Sequence, residues 1–392
     1  MKKDVVIVAA VRTPIGSFSG ALKSLSAIDL GTHALKGAIE RIGLDPNCIE
    51  EVIAGNCLQA GSPGNVARHI QINSGIPYSA SAVTINQQCP SSMRAIEIMT
   101  HEILLGKIDI GAVVGTESMS NAPYLLLNAR GGFRMGDQKV VDAMLYNGLN
   151  CALTGGHMGI TAENIADFYN ISRQEQDELA LLSNRRAMAA IEKGCFKDEI
   201  LPITIKNRKD SIIVEKDEHP KDTSMEKLGK LKPVFKKDGS VTAGNSSGLN
   251  DGASALIIMS ADKADELKLQ PLARIVASAS AGVDPKIMGM GVVPAVERAL
   301  AFSRLLKDEI DYWEINEAFA AQFLGVNREL ELNMDIVNSN GSGIGLGHPV
   351  GCTGARVVVS LIYELQRRKA TYGCATLCAG GGPAAAIIIE RL

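Results

Sequence analysis

One His and one Cys near the C-terminus each stand in a run of glycines: Asn340-Gly-Ser-Gly-Ile-Gly-Leu-Gly-His348-Pro-Val-Gly, and further on Cys378-Ala-Gly-Gly-Gly382. Glycine lets a backbone approach a ligand closely and take turns that other residues avoid. A His in one such loop and a Cys in another supply a nucleophile, a base and backbone donors if the fold brings them together. A second Cys, in Asn86-Gln-Gln-Cys89-Pro-Ser-Ser-Met, precedes a stretch with helical period. Ala95, Ile96, Met99, Ile103 and Leu104 fall at core spacing there, and Pro90 suits a first turn. This predicts Cys89 at a helix N-terminus, whose partial positive charge favours the thiolate that attacks carbonyl carbon. Taken alone, such a Cys reads more plainly as a buried structural residue; the two glycine-flanked groups turn the reading toward chemistry.

The elements that must position these residues repeat. Cys89-Pro-Ser-Ser-Met-Arg94 opens a helix that ends before the strand-like Asp109-Ile-Gly-Ala-Val-Val-Gly-Thr116, and Gly351-Cys-Thr-Gly-Ala-Arg356 opens one that ends before Tyr372-Gly-Cys-Ala-Thr-Leu-Cys378, at an offset of 262 residues. Val5-Val-Ile-Val-Ala-Ala matches Arg274-Ile-Val-Ala-Ser, and a helix over 29–42 before Val52-Ile-Ala matches one over 294–306 before Trp313-Glu-Ile. Two similar α/β halves follow, with uninterrupted apolar strands that call for helices on both faces. Residues 119–249 interrupt the pattern as an insertion. Its Lys206, Arg208, Lys209, Lys221, Lys236 and Lys237 lie among acids, which fits a solvated face as well as a phosphate-binding one.

Composition narrows the function. A length of 392 residues with 46% hydrophobic content fills two or three domains. A net charge of −3 and 4% aromatic residues give no general attraction to nucleic acid or anionic membrane and no base-stacking surface. The apolar run before Arg12 is too short for a signal peptide and no later segment reaches spanning length, so a soluble cytoplasmic protein is expected. The eight cysteines form neither a CxxC pair nor a disulfide framework. Cys374 and Cys378 have no His nearby in sequence, so no metal site is expected.

Seven ordered motifs then carry a resemblance. They are Ala10-Val-Arg-Thr-Pro-Ile-Gly, Asn86-Gln-Gln-Cys89, His157-Met-Gly-Ile-Thr-Ala-Glu-Asn164, Thr242-Ala-Gly-Asn-Ser-Ser-Gly-Leu-Asn-Asp-Gly252, Asn316-Glu-Ala-Phe-Ala320, Gly347-His348-Pro and Cys378-Ala-Gly-Gly-Gly382. Over essentially its whole length the chain resembles the thiolases, and within them the biosynthetic acetyl-CoA acetyltransferases. The resemblance implies an α/β thiolase fold: two βαβαβαββ halves in five layers (α-β-α-β-α) with an inserted loop domain. Residues 1–118, completed by about 250–268, would form the N-terminal half, 119–249 the loop domain over coenzyme A, and 269–392 the C-terminal half.

It also implies roles. Cys89 would take the acyl group as a thioester, and Cys378 would act as acid and base on the methyl carbon of a second acetyl-CoA. A thiol suits that task, since its ordinary pKa of roughly 8.5 needs only a modest shift. One oxyanion hole would use His348 and a water held by Asn316, the other the N–H groups of Cys89 and Gly380. On its own, Asn316 reads as a helix cap. His157, Met158, Ser247, Phe319 and Lys221 would contact coenzyme A. The partners implied are acetyl-CoA, acetoacetyl-CoA and coenzyme A, with no further cofactor. The loop at about 121–144 resembles the one through which biosynthetic thiolases form tetramers, so a homotetramer is expected.

Several positions depart from the family pattern. Cys89-Pro-Ser-Ser92 replaces Cys-Gly-Ser-Gly, Ser342-Gly343 replaces Gly-Ala, and Cys352-Thr353 replaces small residues after His348. Asn150-Cys-Ala-Leu-Thr-Gly-Gly156 is also unusual, and Lys221 stands where many relatives have Arg. Pro90 restricts the conformation of Cys89 while deleting only its own N–H. Alternatives are a thiolase with a shifted 3-ketoacyl chain preference, a catalytically impaired acyl-CoA binding homologue, and a ketoacyl synthase. The last would pair its Cys with two His, and the base position here is Cys378. Two thiols in one pocket also raise a Cys89–Cys378 disulfide under oxidation.

Overall fold

The computed structural model describes residues 4–206 and 210–392; Arg208 and Lys209 lie outside them. The N-terminal half runs β1 (Val5–Arg12), α1 (Ala27–Ile42), β2 (Glu51–Gly55), α2 (Val66–Asn73), β3 (Ser81–Ile85), α3 (Ser91–Leu104) and β4 (Ile110–Ser118), and is completed by β5 (Asn250–Ser260). Between β4 and β5 lie two long helices, α4 (Met158–Phe168) and α5 (Arg173–Glu192). The C-terminal half runs β6 (Ala273–Gly282), α6 (Val292–Ser303), β7 (Tyr312–Ile315), α7 (Ala320–Leu330), α8 (Thr353–Arg368), β8 (Tyr372–Cys378) and β9 (Pro383–Arg391).

Among the described residues these strands form one sheet in the order β7-β8-β9-β6-β1-β5-β4-β2-β3. From the centre outward the first half reads β1, β5, β4, β2, β3, and the second reads β6, β9, β8, β7. The counterpart of β3 is reduced to a single parallel bridge from Trp313 to Val337. The repeat expected from sequence is therefore present in four strand pairs, with the fifth reduced to that bridge. Among the described residues the two halves of the sheet pair through Val6↔Arg274 and Ile7↔Ala273 of β1 and β6.

Alternation along the strands makes the layers. On β1, Val6 and Val8 enter a core with α1 and α2, whereas Val5 and Ile7 enter one with α3 and α8. That second core takes strand residues from both halves, among them Ile258, Ile275 and Ile387. A third core packs α6 and α7 on the outer face of the C-terminal half. The result is helix, sheet, central helices, sheet, helix. The central helix α8 is buried nearly all round, as its Val357-Val-Val-Ser-Leu-Ile run requires. On the outside, α1 starts from a Ser26–Asp29 capping box and stops at left-handed Gly43.

The insertion does not stand apart on its own surface. Its Glu199 and Asp217 pair with Arg12 of β1 at 2.6 and 2.7 Å, all three buried, and its Ala187 and Phe196 share a core with Ile15 and Leu346. The 121–144 loop carries a short ribbon, Tyr124–Leu125 on Val141–Asp142, beyond which Leu126, Leu127 and Met135 are exposed, Met135 at 92%.

Candidate active site

Cys89 sits in the turn from β3 to α3. Gln88 before it adopts a left-handed φ of 59°, which a non-glycine residue holds only when its surroundings fix it. The fixing bonds are present: Gln88 N–H donates to Asn86 Oδ1 at 2.8 Å, its Nε2 donates to Asn147 O at 3.1 Å, and Cys57 Sγ donates to Gln88 Oε1 at 3.0 Å. The helix begins at Ser91 with Pro90 as its uncapped N-cap, so Cys89 precedes the first turn. Burial pushes the Cys89 thiol up to about 12, opposed by the N–H groups of Gly380 and of Cys89 itself. Cys89 is half-buried, and desolvation there outweighs the helix end.

Those two N–H groups converge on the sulfur of Cys89. Gly380 follows Cys378, which ends β8 with its thiol raised by burial and by the neighbouring Cys89. A Cβ at Gly380 would meet the end of the Met158 side chain, at Cε, so Met158 packs directly on Gly380. Cys89, Cys378, Gly380 and Met158 are thus brought together. Among the described residues no cysteine is in a disulfide.

His348 is buried and bonded on every side. Its N–H donates to Asn250 Oδ1 at 2.9 Å, Nδ1 lies 2.6 Å from Thr353 Oγ1, and Nε2 lies 3.4 Å from Asn316 Nδ2. Burial and then the charge of Arg356 push it down to about 3, so the imidazole is neutral. Asn316 is not the helix cap that it resembles in isolation. Helix α7 starts at Ala320 from Phe319, and Asn316 Oδ1 is buried with no partner among the described residues. Such an acceptor calls for a water or a ligand.

Of the five residues expected to contact coenzyme A, His157, Lys221, Ser247 and Phe319 line one cavity of about 390 Å³ together with His348 and Val350, and Met158 is not part of its wall. A second cavity of about 320 Å³, walled by Asn184, His219 and Lys227, adjoins it through Lys221, Ala243 and Ser246. Of the insertion's basic residues named from sequence, Lys221 reaches both, while Lys236 is exposed and paired with Asp167 at 2.6 Å. His157 caps α4 by accepting from Gly159 N–H, and its ring stacks on Phe235 at 4.4 Å, which meets Phe319 edge-on at 6.1 Å.

Sequence reasoning missed Phe235, and it missed Glu117. The Glu117 carboxylate accepts from Asn56 Nδ2, Cys57 N–H, Leu58 N–H and Gly351 N–H at 2.8–3.1 Å, and burial lifts it to about 7 against those donors. A charged residue ending an otherwise apolar strand was the available signal.

Comparison decides the family. The chain matches the thiolase N-terminal domain over residues 5–262 and the thiolase C-terminal domain over 269–391. The chain belongs to the thiolase family. This thiolase is 49% identical to an acetyl-CoA acetyltransferase of Syntrophomonas wolfei and 50% identical to one of Escherichia coli K12, each alignment covering 100% of both chains. The solved Syntrophomonas wolfei acetyl-CoA acetyltransferase superposes with a TM-score of 0.98 and full coverage of both chains. Human mitochondrial 3-ketoacyl-CoA thiolase in complex with CoA superposes at 0.96, with 42% identity over 100% of this thiolase and 98% of that chain. Among the described residues, no helix is long and apolar enough to cross a membrane and no cluster of ligands for a metal occurs.

Proposed function

We propose that this thiolase is an acetyl-CoA C-acetyltransferase, joining two acetyl-CoA into acetoacetyl-CoA and coenzyme A and running the reverse thiolysis. Cys89 attacks the thioester carbonyl while His348 Nε2 takes its proton; the Cys378 thiol protonates the departing coenzyme A sulfur, leaving an acetyl-Cys89 thioester and a Cys378 thiolate. Because the resting thiol and imidazole are both neutral, proton transfer is coupled to attack. The charge passes to the carbonyl oxygen, where the N–H groups of Cys89 and Gly380 stand ready. Cys378 then removes a methyl proton from the second acetyl-CoA. The resulting enolate, its oxygen held by His348 and an Asn316-bound water, attacks acetyl-Cys89 and releases acetoacetyl-CoA, and the freed Cys89 thiolate takes its proton back from His348.

The observation that carries this reading is the Gly380 N–H at the Cys89 thiol, with Cys378 beside it. Residues 119–249 act as the lid over coenzyme A, with His157, Met158, Ser247 and Phe319 along its pantetheine and Lys221 near its nucleotide. The protein works in the cytoplasm as a homotetramer. The exposed apolar loop at 121–144 and the open edge of β3, where Ser81 and Val83 face solvent, support that assembly, and a monomer mass by light scattering would refute it.

The test is cleavage of acetoacetyl-CoA by the purified protein with added coenzyme A, beside Cys89→Ala and a longer 3-ketoacyl-CoA. Activity that favours the four-carbon substrate and vanishes in the variant supports the proposal. Preference for the longer substrate would move the enzyme to the broad-chain thiolases, and coenzyme A binding without cleavage would mark an impaired homologue.

A further inference from the structure

The two central helices touch where each begins. Ser92, in the first turn of α3 and fully buried, donates to Cys352 O at 3.1 Å and accepts from Ala355 N–H at 2.8 Å. Cys352 is the N-cap of α8 and supplies no side-chain cap of its own. The hydroxyl of Ser92 therefore caps the neighbouring helix instead of its own. The crossing leaves no slack: a Cβ at Gly115 would lie 2.7 Å from Ser92 Cβ, and one at Gly354 would lie 3.0 Å from Ser92 Oγ. One residue past the capped carbonyl stands Thr353, whose hydroxyl lies 2.6 Å from His348 Nδ1 and 2.9 Å from Pro349 O.

A hydroxyl has one proton to give. When Thr353 donates to Pro349 O, its oxygen accepts from Nδ1–H, and Nε2 is left as a lone pair facing Asn316. When the same proton turns to Nδ1, the imidazole must carry its hydrogen on Nε2. The first arrangement suits a base for Cys89, and the imidazolium it becomes carries on Nε2 the hydrogen that an enolate oxygen needs; the second would leave Nε2 unable to take a proton. Among the described residues no carboxylate is hydrogen-bonded to His348, so the proton it accepts is not trapped as an ion pair.

We propose that Thr353 is a positioning residue that, by accepting from Nδ1–H, fixes His348 with Nε2 free to take the Cys89 proton and then to present that same proton to the enolate oxygen, and that Ser92 holds Thr353 in place from the nucleophile's helix. This rests on the thiolase reaction proposed above.

The experiment compares Thr353→Ser, Thr353→Val, Ser92→Ala and the Ser92→Ala/Thr353→Val double variant in acetoacetyl-CoA thiolysis, with thermal melts as a check on folding. The expected results are kcat within about threefold of the parent for Thr353→Ser, and a loss of about a hundredfold for Thr353→Val with KM held within about twofold. Ser92→Ala should lose about tenfold, and the double variant no more than Thr353→Val alone, since both act through one hydroxyl. If Thr353→Val does not fold, Thr353→Ala removes the same hydroxyl without adding bulk. Equal losses in Thr353→Ser and Thr353→Val, or penalties that multiply in the double variant, would overturn the inference. A parent that forms no acetyl-Cys89 by mass measurement would instead overturn the thiolase reaction, and this inference with it.

Discussion

The carboxylate of Glu117 accepts the N–H of Gly351 at 2.9 Å, and so ties the loop that follows His348 to the end of β4. The same carboxylate holds Asn56, Cys57 and Leu58, whose loop braces Gln88 and thereby Cys89. Glu117→Ala leaves three backbone N–H groups buried without an acceptor, while Asn56 Nδ2 keeps Thr116 O. Each such loss costs about 1–3 kcal/mol, so a destabilisation on the order of 3 kcal/mol or more is expected in urea unfolding. A value under about 1 kcal/mol would mean that the loops are held by other contacts.

Asn316 tests the chemistry with less disturbance to the fold, because its Oδ1 has no protein partner to lose. Asn316→Ala should lower kcat by about a hundredfold, the scale of one lost oxyanion donor, and leave coenzyme A affinity unchanged. Steady-state thiolysis with a separate coenzyme A titration checks it. Equal losses in both would assign Asn316 to binding.

At Lys221 the expected change is a gain. Arg offers a planar face for stacking that Lys lacks, so Lys221→Arg should lower the KM for coenzyme A about threefold with kcat unchanged. Lys221→Ala should raise it, by less at high salt than at low salt. An effect of either on kcat alone would place Lys221 away from the nucleotide.

Acid stability carries the mark of His219. Burial and then Lys221 push it down to about 4 from its ordinary 6.5, so between those values the unfolded chain binds the proton and the folded one does not. Lowering the pH through that window removes stability, by about 2 kcal/mol at pH 5 from this group alone. His219→Gln should therefore lose about 2 kcal/mol less than the parent between pH 7.5 and pH 5 in chemical unfolding. Parallel pH dependences for the two would refute it.

The fold was legible in sequence, and the residues assigned to the proposed reaction stood out there, for a physical reason. His348 and Cys378 sit in glycine-rich turns and Cys89 precedes a stretch of helical period, and these signals are local. What was illegible is what arrives from far along the chain. Ser92 meets Ala355, Glu117 meets Gly351, and Phe235 meets His157, and no spacing rule joins them. Cys89 shows the same division: the helix end is local and visible, whereas the surroundings that push its thiol up are tertiary. Asn316 went the other way, its cap-like sequence overruled by a helix that starts four residues later.

The core around α3 and α8 draws its walls from both halves of the chain. During synthesis the first half therefore emerges with one greasy face of its sheet and of α3 uncovered, and stays so until α8, β8 and β9 have left the ribosome. For the time needed to make the last third of the protein, that face is open to any other apolar surface. Slow translation of the C-terminal third, or its truncation, should thus lead to aggregation of a nearly complete N-terminal half, and the demand for chaperones is set by the order in which the two halves are made.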